Sequence, residues 1–228
     1  ILSFCSLLSL NARGLSAIIT IAKYFDEGEL LRIMNSTNGI ITVFAGSASR
    51  PFAQKMCDYL GVELGKSTTH IFSEGGIYVR ADESIRNKDV YIVQSIGKDP
   101  NNAFTELIFW IDAFKRASAN SITAIIPYFG YAKADKKDEP RVSIRARVCA
   151  DCIEMCGADR VVTMDLHAAQ VQGFFSKPVD HLYASALLCE YARHLGIVNE
   201  NLVVVSPDAG SAKRARAYAN ILGCNVAI

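Results

Sequence analysis

VVTMDLHAAQ, residues 161–170, runs from four largely apolar, β-compatible residues straight into Asp165 and His167. A strand built for burial thus ends on a carboxylate and an imidazole. The same design recurs on both sides. ITAIIPYFG (122–130) is a strand that opens into the charged loop YAKADKKDEPR, and NLVVVSPDAG (201–210) is a strand that leads to Asp208. Further towards the N-terminus, IITVFAG (40–46), GIYVRA (76–81) and DVYIVQS (89–95) read as strands rich in β-branched residues.

Between these strands lie runs with helical spacing. RPFAQKMCDYLGV carries proline near its start, and NAFTELIFWIDAFKRAS sets Leu107, Trp110, Ile111 and Phe114 along one stripe. RARVCADCIEMCGA, YASALLCEYARHLG and AKRARAYANILG complete the set. Strands alternating with helices of ten to fifteen residues predict an α/β fold of βαβ units with a mostly parallel sheet. Ligands of such sheets gather outside the carboxyl ends of the strands.

The 228 residues include 24 basic and 23 acidic side chains, for a net charge of +1. That balance argues against a nucleic-acid-binding protein, which needs a large basic excess. The seven cysteines are odd in number and scattered, which predicts reduced thiols. Cys149, Cys152 and Cys156 share one helix face without a fourth zinc ligand, and read as core. His70, His181 and His194 read as structural. The opening ILSFCSLLSL is too short to span a bilayer, and SAIITIAKYFDEGELLRIM has a helix-compatible pattern that NSTNG closes. The chain begins at Ile1 and stops inside the strand-like CNVAI, so a fragment of a longer protein is expected.

Residues i and i+2 of an extended chain point to one side, so Asp165 and His167 are expected to converge. An oxygen beside a nitrogen ligand suits a divalent cation that keeps waters and phosphates in its other positions. Taken alone, the pair also reads as a capping Asp and a structural His. Asp208, among Pro207, Ala209 and Gly210, opens a helix whose amides can meet an anion. Lys213 and Arg214 oppose that helix's macrodipole, which a bound phosphate explains, as does simple solvation. Lys133, Asp135, Lys136, Lys137 and Arg141 leave the same sheet edge in the charged loop. Together these residues suggest a metal–polyphosphate site without a Walker A loop or a G-x-G-x-x-G.

DVYIVQS, PYFGYAKADKK, GADRVVTMDLHAAQVQGFFSKPVDHLYAS and VVVSPDAGSAKRA resemble the ribose-phosphate diphosphokinase (phosphoribosyl pyrophosphate synthetase) family, from about Ile41 to the end. The resemblance implies tandem phosphoribosyltransferase type I-like domains with parallel sheets flanked by helices. The domains expected are an N-terminal extension over 1–39, a first domain over 40–160 and a partial second domain over 161–228. The activity implied is transfer of the diphosphoryl group of ATP to the C1 hydroxyl of ribose 5-phosphate, with Mg²⁺.

The resemblance also implies site residues. The metal set is Asp165, His167, Asp180 and Asp208, and the ATP set is Phe72, Glu74, Gly75, Gly76, Lys133, Ala134 and Asp135. Phe72 would stack on the adenine of a neighbouring subunit, in a hexamer built from dimers. Lys213 and Arg214 are candidate phosphate contacts. A cytoplasmic protein is expected, with organellar targeting by the N-terminal extension left open.

Four positions depart from the family's pattern. Lys133-Ala134 stand for Arg-Gln, Gly76 for Glu and Ser176 for Asp. The family's catalytic Lys/Arg loop and ribose-phosphate loop have no counterpart here, so catalytic residues are unassigned and this chain alone is not expected to turn over. The alternative is a non-catalytic regulatory subunit of a synthetase complex.

Overall fold

The structure, a computed structural model, describes residues 41–228. The extension 1–39 and its helical segment lie outside the described residues. The described chain divides into two compact units, 41–182 and Tyr183–Ile228.

In the first unit, β1 (Ile41–Ala45), β4 (Asp89–Val93), β5 (Ser121–Ile126), β6 (Arg160–Met164) and β7 (Val179–Leu182) form one sheet in the order β1-β4-β5-β6-β7. Every pairing in it is parallel, with Ala45 opposite Val93, Val93 opposite Ile125 and Met164 opposite Leu182. The crossovers are made by α1 (Arg50–Leu60), α2 (Pro100–Arg116) and α3 (Arg145–Cys156), and between β6 and β7 by a 3₁₀ helix, Ala169–Phe174.

Strand alternation divides the core in two. Val43, Ala45 and Val93 meet Ala53 and Cys57 of α1 on one face. Phe44, Val90, Ile92, Ile122, Ala124 and Ile126 meet α2 and α3 on the other. There the rings of Phe44 and Phe114 lie 4.9 Å apart, and those of Trp110 and Phe114 5.2 Å. The predicted stripe of α2 is fully buried. Asp99 caps this helix and Pro100 opens it, while Gly61 at φ +68 closes α1.

The sequence reading omits two strands. β2 (Ser67–Ile71) pairs antiparallel with β3 (Ile77–Ala81) as a separate hairpin, and β7 extends the main sheet. Because β6 and β7 pair into this sheet, the compact unit runs through Leu182, past the 160/161 position where the expected second domain begins.

The second unit contains α4 (Ser185–His194), β8 (Val203–Val205), α5 (Ala212–Leu222) and β9 (Asn225–Ala227), with β8 and β9 parallel. The CNVAI stretch is strand, as read. The VVV run is not the buried strand expected: Val203 and Val205 are exposed, in a sheet that has two strands among the described residues.

The six cysteines among the described residues are free thiols. Burial pushes the Cys57 thiol up to about 11 and the Cys149 thiol up to about 12. Both stay protonated at neutral pH and are poor nucleophiles.

Candidate functional site

The carboxyl ends of β5 and β6, adjacent parallel strands, carry two of the predicted segments. β6 stops at Met164, and Asp165 turns into the left-handed region at φ +44. The extended-chain argument for Asp165 and His167 therefore fails, because the backbone is no longer strand. Both side chains are nonetheless exposed, on either side of the buried Leu166 that anchors the turn. The amide of Asp165 donates to the carbonyl of Leu182 at 2.9 Å, and the amide of Leu166 donates to Nε2 of His181 at 2.9 Å. Burial pushes the His181 imidazole below its ordinary range, and the Asp165 charge draws it partly back. The side-chain amide of Gln172 lies 3.4 Å from Nδ1 of His181.

Beyond β5, residues 127–135 form a loop that contains a 3₁₀ turn, Gly130–Lys133. The loop is stitched to its neighbours. Ile96 donates to the carbonyl of Tyr128 at 2.8 Å, and Ala146 at the head of α3 donates to that of Ala134 at 3.2 Å. A Cβ at Gly130 would lie 2.2 Å from the Ile96 carbonyl oxygen, so only glycine fits there. Lys133 is exposed, while Ala134 and Asp135 are half-buried.

Two other predicted ligands belong to other elements. Asp180 forms an ion pair with Arg160 at 2.7 Å. Its register partner is Val162, three residues before Asp165, which at about 3.3 Å per residue puts roughly 10 Å of strand between the two backbone positions. The sheet therefore does not bring Asp180 to Asp165. Its neighbour His181, read as structural from sequence, is the β7 side chain that reaches the turn. In the second unit, Asp208 caps its own helix: the carboxylate accepts from the Ser211 amide at 2.7 Å, and the Ser206 hydroxyl donates to its carbonyl at 2.7 Å. An amide expected to meet an anion is thus used internally. Lys213 and Arg214 are exposed in the first turn of α5. Among the described residues no three His, Cys, Asp or Glu side chains are gathered as a metal cluster.

The remaining nucleotide candidates form the tip of the β2–β3 hairpin. The Phe72 amide donates to the Gly76 carbonyl at 2.8 Å, the Gly75 amide to the Phe72 carbonyl at 2.9 Å, and Gly75 takes φ +89. The Phe72 ring is 45% exposed and stands edge-on to His70 at 5.0 Å. Glu74 is exposed at the tip.

A buried polar node that the sequence reading missed ties this hairpin to the sheet. Glu106 on α2 is 2% exposed. Its carboxylate accepts from the Ser47 amide at 2.9 Å, the Ser47 hydroxyl, Gln94 at 2.9 Å, Trp110 at 3.3 Å and Thr69 of β2 at 3.4 Å. A cleft of about 500 Å³ opens beside it, lined by Gly46, Ser47, Arg50 and Ser67–Thr69. In sequence Glu106 looks like one more surface helix glutamate; its place in the apolar stripe, one residue before Leu107 and four before Trp110, is the signal that marks it.

Residues 41–157 match the family model for the N-terminal domain of ribose phosphate pyrophosphokinase. The chain belongs to the ribose-phosphate pyrophosphokinase family. Ribose-phosphate pyrophosphokinase of Porphyromonas gingivalis is 50% identical over 195 residues, 86% of this chain and 61% of that protein. The chloroplastic ribose-phosphate pyrophosphokinase 2 of Arabidopsis thaliana is 44% identical over 203 residues, 89% of this chain and 51% of that one. The crystal structure of phosphoribosylpyrophosphate synthetase from Mycobacterium smegmatis superposes with a TM-score of 0.76 at 42% identity, over 82% of this chain and 62% of that chain. The match supports the phosphoribosyltransferase-like fold expected from sequence. The chain spans between half and about three-fifths of the length of these pyrophosphokinase relatives. No helix among the described residues is long and apolar enough to cross a membrane.

Proposed function

We propose that the protein transfers the β,γ-diphosphoryl group of ATP to the C1 hydroxyl of ribose 5-phosphate. The sugar oxygen forms a bond to the β-phosphorus, the bond from that phosphorus to the oxygen bridging it to the α-phosphorus breaks, and AMP leaves as the hydroxyl proton is lost. The products are phosphoribosyl pyrophosphate and AMP.

One observation carries this reading within the family. Asp165 and His167 stand exposed at the end of β6, beside the Lys133-bearing loop at the end of the adjacent strand β5. Asp165 offers the hard oxygen that suits Mg²⁺, which takes few protein ligands and keeps waters and phosphate oxygens, and His167 adds a nitrogen donor beside it. Asp165 and His167 would hold the ion, and its chemistry there would be to neutralise charge on the diphosphoryl oxygens.

Lys133 extends a cation from the neighbouring loop, and Phe72 offers an exposed ring for adenine bound to an adjoining copy, within a homo-oligomer. Within the second unit, Asp208, whose carboxylate keeps acceptor capacity beside its bond from Ser211, is the candidate for metal and ribose hydroxyls, with Lys213 and Arg214 for phosphate. Asp180 is set aside because Arg160 engages it. The proposed compartment is the cytoplasm, with a plastid the alternative that the chloroplastic relative raises.

The test is AMP formation by the whole protein with Mg²⁺, beside an Asp165→Ala/His167→Ala double variant. Turnover that needs both substrates and collapses in the variant is expected. An inert protein would instead be a non-catalytic subunit of a synthetase complex.

A further inference from the structure

We propose that His181 is a positioning residue for Asp165 and His167, acting through the backbone of Leu166. The inference rests on the cation role proposed above for that pair. Two successive amides of the turn after β6 are held by β7: Asp165 by the Leu182 carbonyl, and Leu166 by the His181 ring nitrogen. The first bond continues the sheet ladder, and any residue at 182 supplies it. The second is a side-chain bond that strand pairing cannot replace.

It falls where the backbone needs it. Asp165 is one of four non-glycine residues with positive φ among the described residues, a conformation that persists only when its surroundings impose it. Leu166 is 7% exposed, so its amide has little access to water if the imidazole is removed. A ring nitrogen that accepts an N–H carries no proton, so Nε2 is unprotonated in this arrangement. His181 lies at the far end of the β6–β7 crossover, and its bond closes residues 166–181 into a loop with Asp165 and His167 displayed at its start. Its role is to fix where the two exposed groups stand, not to touch the reacting atoms.

The test compares His181→Phe with His181→Gln in the full chain. Phenylalanine keeps the ring volume and removes the acceptor, while the glutamine carbonyl oxygen can reach the place of Nε2. Three properties are read: hydrogen exchange at the Leu166 amide, Mn²⁺ affinity by electron paramagnetic resonance, and the melting temperature. In the phenylalanine variant, exchange at Leu166 is expected to quicken at least tenfold and Mn²⁺ affinity to fall about tenfold. The glutamine variant is expected to recover both.

A phenylalanine variant with unchanged Leu166 exchange or unchanged Mn²⁺ affinity overturns the proposal. So does a glutamine variant as impaired as phenylalanine at equal melting temperature. The Asp165→Ala/His167→Ala variant separates the two levels. If it binds Mn²⁺ like the parent, the cation reading of the pair fails, and with it the role given to His181.

Discussion

The hydroxyl and the backbone amide of Ser176 both donate to the carboxylate of Glu154, each at 2.5 Å, and the Lys177 amide adds a third bond at 2.8 Å. Glu154 of α3 thereby clamps the segment that enters β7. The family resemblance implies an aspartate where Ser176 stands, and an aspartate would set a second carboxylate against Glu154. Ser176→Asp is therefore expected to destabilise the fold by up to about 1 kcal/mol at neutral pH. Urea unfolding checks it. Burial acts to raise the Glu154 carboxyl, but the Ser176 and Lys177 bonds outweigh it and hold the group below its ordinary 4.5. The clamp's contribution is accordingly present above pH 4.5 and lost as pH falls through the lowered folded value. The stability gap between the parent and Glu154→Gln should close in that acid range.

Glu106 is the second place where one carboxylate holds several elements. Glu106→Ala leaves its donors from Ser47, Gln94, Trp110 and Thr69 without their acceptor in a buried site. A loss of about 3–5 kcal/mol is expected. Glu106→Gln keeps the shape and one acceptor oxygen, and should cost less. Chemical denaturation ranks the variants, and hydrogen exchange in β2 should quicken in both, because Thr69 is the hairpin's link to the node.

Gly76 and Gly130 should respond oppositely to side chains. A Cβ at Gly76 meets its nearest neighbours, Glu74 and Phe72, at 3.6 Å, which is ordinary contact. Gly76→Glu, which introduces the residue that the resemblance implies here, should fold normally and, on the proposed function, lower the KM for ATP of the whole protein. Gly130→Ala drives a methyl into the Ile96 carbonyl and should unfold the β4–β5 loop pair. Circular dichroism melts and ATP titrations of turnover read the two.

Thr163 of β6 is 3% exposed, and its hydroxyl finds no hydrogen-bond partner among the described residues. Thr163→Val keeps the shape and removes the unsatisfied group, so a gain of about 1 kcal/mol is expected in urea unfolding.

The parallel sheet was legible because its strands are buried. IITVFAG, DVYIVQS and ITAIIPYFG are β-branched runs that burial on both faces requires, and the α2 stripe carries helical period. β2, with the sequence STTHI, and β7, with VDHL, were not, because each owes its strand character to its ladder partner rather than to an apolar run. The site shows the same limit. Asp180 and His181 are neighbours in sequence, but on a strand they point to opposite faces, and only the pairing with β6 decides which reaches the Asp165 turn. Asp208 lay where expected, at a helix start, yet spends its carboxylate on the Ser211 amide. Composition cannot separate a cap from a ligand.

The most direct test of the central claim follows phosphorus. The whole protein is given ribose 5-phosphate, Mg²⁺ and ATP labelled in turn at its α-, β- or γ-phosphorus, and the products are separated. Diphosphoryl transfer predicts both β and γ labels in the sugar product and the α label in AMP. Movement of the γ label alone, with ADP left behind, would contradict the account and make the protein an ordinary phosphoryl-transferring kinase.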